Sequence, residues 1–254
     1  MYTTIQGLVL RVTAYNDTDA LLTVLSRDQG KLTLKARGLR RKNSPLVAPC
    51  QLLAYGEFTL FEYRGMYSIN EAHAIELFPQ LRKDLQKLTL GTYFAQVAEL
   101  ICQEDLPNPE LLSLVLNSLH ALAKLDIPEE QVKAVFELRA ACLSGYAPDL
   151  MRCGSCGNET PELFDLSGGH LICNRCALMI AGGIRMPAAP GVLGAMRYIC
   201  ACEPKKLFAF RTGEETAQNL SYITEGYLTS QLERGFSTLD FYKSLQNPLN
   251  HFDR

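Results

Sequence analysis

Four cysteines, Cys153, Cys156, Cys173 and Cys176, stand as two C-x-x-C pairs separated by sixteen residues. A closed structural zinc site asks for four tetrahedral ligands, and each C-x-x-C turn offers two sulfurs from one tight loop. The intervening length falls in the zinc-ribbon window. Gly154, Gly157 and Asn174 put residues that tolerate positive φ in or beside these turns. Four thiolates fill the coordination sphere, leaving no position for the water or substrate that a catalytic zinc must hold. The metal is therefore expected to fold a loop. Between the pairs, residues 162–166 and 170–172 read as two short strands around Gly168-Gly169. Such a hairpin is too thin to bury its own core, and zinc would substitute for it.

Other cysteine chemistries fit less well. Nine cysteines is an odd number and no apolar signal segment follows Met1, whereas secreted disulfide frameworks are short and even-numbered, so a reducing, cytoplasmic compartment is expected. A redox C-x-x-C belongs at a strand-to-helix turn of a βαβ unit, and no such unit surrounds these two matched motifs. An iron-sulfur cluster is the alternative that the spacing leaves open. Cys200 and Cys202, two apart on a predicted helix, would point in different directions and are no second metal site. Together with Cys50, Cys102 and Cys142 they read as buried small residues.

The second chemical feature is cationic. Lys31, Lys35, Arg37, Arg40, Arg41 and Lys42 fall within twelve residues that contain no acid, although the whole chain carries a net charge of −2. Alternation places Leu32, Leu34 and Ala36 on one face of a strand and Lys31, Thr33, Lys35 and Arg37 on the other. At roughly 3.3 Å per residue, the cations from position 31 to 37 would form a row about 20 Å long, able to follow a nucleic-acid backbone. Residues 38–44 continue the row as a basic loop. The plain alternative is a solvated strand face whose lysines discourage edge pairing. Tyr15, Tyr55, Tyr63 and Tyr67 are candidate stacking platforms in the same region, competing with roles as core or cross-strand residues.

Signals for catalysis are weak, and no enzyme is expected. His73, His120, His170 and His251 are scattered over four segments, with His170 read as a hairpin position without a ligand role. Neither a phosphate-cradling Gly-rich loop nor a nucleophile elbow occurs. Asp17 and Asp19 read as solvated turn residues.

These groups must be positioned by more than one domain. At 254 residues, 47 % hydrophobic and 20 % charged, the composition is that of an ordinary folded protein with two or three domains and no span of eighteen apolar residues. Residues 7–12, 20–26, 31–37, 50–63 and 66–75 read as five strands separated by short turns, which suggests a small barrel. From Leu81 the period becomes helical, with Leu81, Leu85, Leu88, Tyr93, Val97, Leu100 and Ile101 inward and an end near Glu104. Asn108-Pro109 opens a second helix and Pro128-Glu129 a third, all three expected to pack together. Beyond the cysteines, residues 191–202 form a short helix. Thr212 and Glu215 suggest a capping box for a helix ending at Gly235, and a last helix after Ser237 turns Phe241 and Leu245 inward.

The order of these modules resembles the bacterial RecO family. The residues that carry the likeness are Gly7-Leu8-Val9-Leu10-Arg11, Thr23-Val24-Leu25 before Gly30-Lys31, the stretch Ala36-Arg37-Gly38-Leu39-Arg40-Arg41-Lys42-Asn43-Ser44, and the two cysteine pairs of its zinc-bearing branch. The chain departs at Tyr15-Asn16-Asp17, where relatives often carry Glu. The resemblance implies an α+β multidomain chain: an N-terminal OB-fold barrel at 1–79, a helical domain from 80–150 and 185–247, an embedded four-cysteine zinc ribbon-like module at 151–184 and a frayed tail at 248–254. It implies a mediator that binds single- and double-stranded DNA, anneals complementary strands, and helps RecR and single-strand binding protein load recombinase onto gaps. The DNA-contacting residues it implies are Lys31, Lys35, Arg37, Arg40, Arg41, Lys42 and Arg11. A zinc-ribbon RNA-binding or transcription-associated protein is the competing reading, separable by competition between DNA and RNA.

Overall fold

The computed structural model describes residues 2–246, so the tail expected to fray lies outside the described residues. The chain groups into two compact units, one running to Lys124 and resuming at Phe236, the other spanning residues 125–235.

In the first unit, β1 (Tyr2–Ala14), β2 (Ala20–Ser26), β3 (Gly30–Ala36), β4 (Tyr55–Tyr63) and β5 (Met66–Glu76) close a barrel in the order β1-β2-β3-β5-β4. Every pairing is antiparallel except the short parallel β3–β5 contact that completes the circle. Alternation drives closure: Val9, Leu22, Val24, Leu32, Leu34, Phe58 and Leu60 point inward together. The register of β1 shifts between Val9 and Arg11, a bulge of the kind that bends one strand to serve two neighbours. The strand expected from Cys50 begins only at Tyr55. Residues 50–54 form turns, Leu53 has φ of 63°, and the Leu53 N–H bonds to Val9 O while the Val9 N–H bonds to Ala54 O, both at 2.9 Å.

Three helices complete this unit. A short 3-10 turn at Leu81–Lys83 precedes α1 (Leu85–Ile101), which starts where Asp84 accepts hydrogen bonds from the Gln86 and Lys87 N–H groups. The inward stripe is Leu90, Tyr93, Phe94 and Val97, while Leu85 and Leu100, expected inside, are exposed. The segment is apolar on most sides, so spacing alone does not single out one face. In α2 (Pro109–Lys124) the expected Leu111, Leu112, Val115, Leu119 and Leu122 are buried and Asn108 caps the Leu111 N–H at 3.0 Å. Within the same unit α7 (Ser237–Gln246) packs on α1. It buries Leu239 and Tyr242 and leaves Phe241 exposed, the reverse of the predicted face.

In the second unit α3 (Glu129–Leu143), α5 (Pro190–Ala201) and α6 (Glu214–Leu232) pack on one another, so α3 finds its partners here and not in α1 and α2. Gly213 takes the N-cap of α6, and the predicted capping box is absent because Thr212 donates its hydroxyl to Gln131 Oε1 at 3.1 Å. That helix ends before Gly235, with Glu233 in the left-handed region at φ of 49°. Between α3 and α6 lies a buried ionic cluster that sequence pattern did not reveal. Lys133 Nζ is 3.1 Å from Glu137 and 2.8 Å from Glu225, and donates to Ser221 Oγ at 3.1 Å; Thr224 donates to Glu137 at 2.8 Å. Burial pushes the Glu137 carboxyl up, and the neighbouring Lys133 ammonium opposes that shift.

The cysteine module is larger than the predicted hairpin. Strands β6 (Asp149–Cys153), β7 (Leu163–Asp165), β8 (His170–Ile172) and β9 (Arg185–Pro187) form a sheet in the order β6-β8-β7-β9, with the short helix α4 (Asn174–Met179) after β8. The turn between β7 and β8 is locked by Asp165 Oδ1, which accepts from the Ser167 and Gly168 N–H groups.

Candidate nucleic-acid interface and cysteine centre

The basic loop after β3 is built from both sides of its own backbone. Leu39, Leu46 and Cys50 turn into the barrel core, which anchors residues 37–54 against the end of the barrel and drives the intervening charges outward. Gly38, at φ of +68°, makes the turn out of β3 in a conformation costly for a side chain, and its N–H donates to Asp19 Oδ1 at 2.9 Å. Asp19 is thus no idle turn residue. The Gly38 N–H, helped by Asn16, Thr18 and the Lys35 ammonium, holds its carboxyl down at about 2. The Arg40 backbone N–H bonds to Thr18 O at 3.0 Å and its guanidinium donates to Asn16 O at 2.6 Å. The loop of residues 15–19 therefore pins the cationic loop in place.

The predicted row of cations divides in two. Lys35 is ion-paired with Asp19 at 3.4 Å and lies 4.7 Å over the Tyr15 ring. Lys31 donates to Glu99 O at the C-terminal end of α1, at 3.4 Å. Arg11 pairs with Glu99 at 2.9 Å and donates to Thr23. These three have structural partners. By contrast Arg37, Arg41 and Lys42 are exposed and, among the described residues, make no ion pair. Arg40 is exposed as well but is oriented by Asn16. The strand face thus contributes less free charge than its sequence suggests, and the loop contributes more. Of the tyrosines singled out, Tyr15 and Tyr63 are exposed while Tyr55 and Tyr67 are half-buried, the latter packed on the barrel core.

Sequence spacing predicts the cysteine centre well. The four Sγ atoms of Cys153, Cys156, Cys173 and Cys176 lie within 4.8 Å of one another. Metal–sulfur bonds of ~2.3 Å in a tetrahedron put neighbouring sulfurs about 3.8 Å apart, and Cys156 Sγ to Cys173 Sγ is 3.7 Å. The donor set therefore fits a tetrahedral, thiophilic metal ion. The first knuckle closes through Gly157 N–H to Cys153 O at 2.9 Å, and the Cys173 N–H points at Cys153 Sγ at 3.4 Å. Burial pushes the Cys153 thiol up, but N–H groups of Cys173, Cys156 and Ser155 outweigh it and bring it to about 6, so a thiolate is favoured. Three of the four cysteines are buried and Cys156 is exposed. Away from this centre, Cys50 and Cys102 are buried as expected, but Cys142, Cys200 and Cys202 are only half-buried, with the Cys142 and Cys200 sulfurs 3.7 Å apart.

Comparison with known proteins covers nearly the whole chain. Residues 1–78 match the family model for the recombination protein O N terminal, and residues 82–240 match that for the recombination protein O C terminal. The chain is 32 % identical over 246 residues to the DNA repair protein RecO of Acetivibrio thermocellus, covering 96 % of this chain and 97 % of the relative. It is 29 % identical over 243 residues to the DNA repair protein RecO of Alkaliphilus metalliredigens, covering 94 % and 98 %. No helix among the described residues is long and apolar enough to cross a membrane.

Proposed function

Because the chain belongs to the recombination protein O family, we propose that it is a DNA repair and recombination mediator whose barrel captures DNA through the loop that follows β3. The observation that carries this reading is the exposed trio Arg37, Arg41 and Lys42, unpaired among the described residues and held on a loop pinned by Asp19 and Asn16. Guanidinium groups grip phosphate oxygens bidentately and lysine adds a point charge. In this scheme Lys35 supports the loop through Asp19, Lys31 and Arg11 are engaged by Glu99 of α1, and Arg40 serves both as support and as contact. No bond is made or broken: phosphates are captured, counterions are released, and bound strands become available for annealing. The finer role is to bind single- and double-stranded DNA, anneal complementary strands and, with RecR and single-strand binding protein, load recombinase onto gaps in the nucleoid of the cytoplasm. It rests on family membership. In the same scheme zinc occupies the four cysteines and has a structural task.

The test is a salt titration of binding to a fluorescent oligonucleotide. Replacing Arg37, Arg41 and Lys42 with Ala together should weaken binding and flatten the slope of log K against log salt by about 2, given ~0.7 per single-strand phosphate contact. An unchanged slope would remove DNA capture from this loop.

A further inference from the structure

Beside the basic loop the barrel carries a cavity that phosphate binding leaves unexplained. It is an open recess of about 310 Å³ lined by Val12, Ala14, Ala20, Leu39, Arg40, Val47, Cys50 and Gln51. Its floor is Ala20, Leu39 and Cys50, all buried in the barrel core. Its walls, Val12, Ala14 and Val47, are apolar yet exposed to solvent. Two residues at the lining break this apolar pattern, Arg40 and Gln51.

From this arrangement we propose that the cavity receives one unpaired base of a single strand whose phosphates lie on Arg37, Arg41 and Lys42. The inference rests on the reading of that loop as a phosphate site and adds selectivity for unpaired strands. Size is the first argument. The volume lies at the lower end of the ~300–1,000 Å³ range of small-ligand pockets, suited to a single ring system. The second argument is the division of chemistry. A nucleotide has an apolar ring joined to an anionic link, and the site sets the apolar Val12 and Ala14 of β1 beside a cationic loop that itself lends Leu39, Arg40 and Val47 to the lining. Arg40 supplies a planar cation that can cover a base as well as contact a phosphate, and its guanidinium is oriented by Asn16 O at 2.6 Å. The Gln51 amide carries both donors and an acceptor, so it can satisfy the edge of any base, which suits recognition without sequence preference. Burial pushes the Cys50 thiol up to about 12, which keeps the floor uncharged. A base stacked within a duplex cannot enter such a recess, so the cavity discriminates strand state while the loop does not.

The probe is a pair of oligonucleotides of equal length and charge, oligothymidylate and the same backbone with abasic linkers, each titrated by fluorescence anisotropy at fixed salt. The intact protein should prefer the base-bearing strand by about tenfold or more, the scale expected of one well-placed base. Ala14→Leu, an exposed position whose larger side chain fills the cavity at constant charge, should bring that ratio close to one and leave duplex affinity and salt slope unchanged. Gln51→Ala, which keeps the cavity open, should lower the ratio partially and serves as the second variant should Ala14→Leu disturb the strand. A ratio near one in the intact protein with a normal salt slope would overturn the cavity assignment and leave the phosphate loop standing. Loss of the salt dependence itself would instead overturn the loop. A preserved ratio in both variants would also overturn the cavity assignment.

Discussion

The two units handle charge in opposite ways. In the first, Arg37, Arg41 and Lys42 are kept in solvent by a loop whose apolar residues Leu39 and Leu46 are buried beneath them. In the second, Lys133 is 2 % exposed and its ammonium is fully engaged by Glu137, Glu225 and Ser221. The same kind of side chain is left to solvent in one case and is a structural pin in the other. Sequence composition cannot separate these roles, because what decides them is whether an acid from a distant segment arrives opposite the cation. The contrast implies that substitutions in the second unit should be read mainly in stability, and those in the basic loop mainly in binding.

The largest effect should come from the cysteine centre. If zinc occupies the four cysteines as proposed, Cys153→Ser or a chelator breaks the link that ties the turn after β6 to the start of α4. Circular dichroism and metal release measured with a chromophoric chelator should show the second unit losing structure together with its metal. Strand binding by the barrel should fall only as far as the fold is lost. A metal-free protein that stays fully folded but no longer binds strands would reverse the division of labour between the units.

Next in size is the ionic cluster. Lys133→Met leaves Glu137 buried without its cation, and removal of one partner from a buried pair costs about 3–5 kcal/mol. Urea denaturation should show that loss, while strand affinity at low denaturant stays unchanged. The double variant Lys133→Met with Glu137→Leu should recover much of it, since two apolar groups leave less charge to desolvate than one orphaned carboxylate. If the single variant were neutral, the idea that this unit stores its charges as structure would fail.

How much of this was legible follows from distance along the chain. The four clustered cysteines come in turns of four residues, so spacing alone announces them, and the inward Leu32, Leu34 and Ala36 of β3 follow from alternation. Lys133 meets Ser221 across 88 positions, and Arg11 meets Glu99 across 88, so no local pattern carries either contact. That is why Lys31, Lys35 and Arg11 looked like free cations. Helix faces failed where the sequence was too apolar, as in α1, and strand ends failed where turns at 50–54 continued an apolar run. The role of Asp19 was missed for a similar reason: its partner Gly38 lies nineteen positions away. A signal was nevertheless present in the pairing of β2 with β3, since Ala20 lies opposite Ala36 and so brings residues 19 and 37–38 to the same end of the hairpin.

Asp19 gives the finest test of the contrast, because it braces the basic loop through Gly38 and pairs with Lys35 rather than with the exposed cations. Asp19→Asn keeps an oxygen that can accept from the Gly38 N–H but removes the charge that pairs with Lys35. The expected change is small: the second unit is untouched, and faster amide hydrogen exchange is confined to the loop near Gly38 and Arg40. The pH dependence has a definite sign. A carboxyl held at about 2 against an ordinary 3.8 contributes stability that is complete above the ordinary value and is lost as pH falls toward the lower one. The difference in exchange protection between the native chain and Asp19→Asn should therefore be constant from neutral pH to about 5 and shrink only as pH passes below about 3.8 toward 2. A difference that instead vanished between pH 7 and 6 would point to a histidine, and Asp19 would no longer be the group that orders the loop.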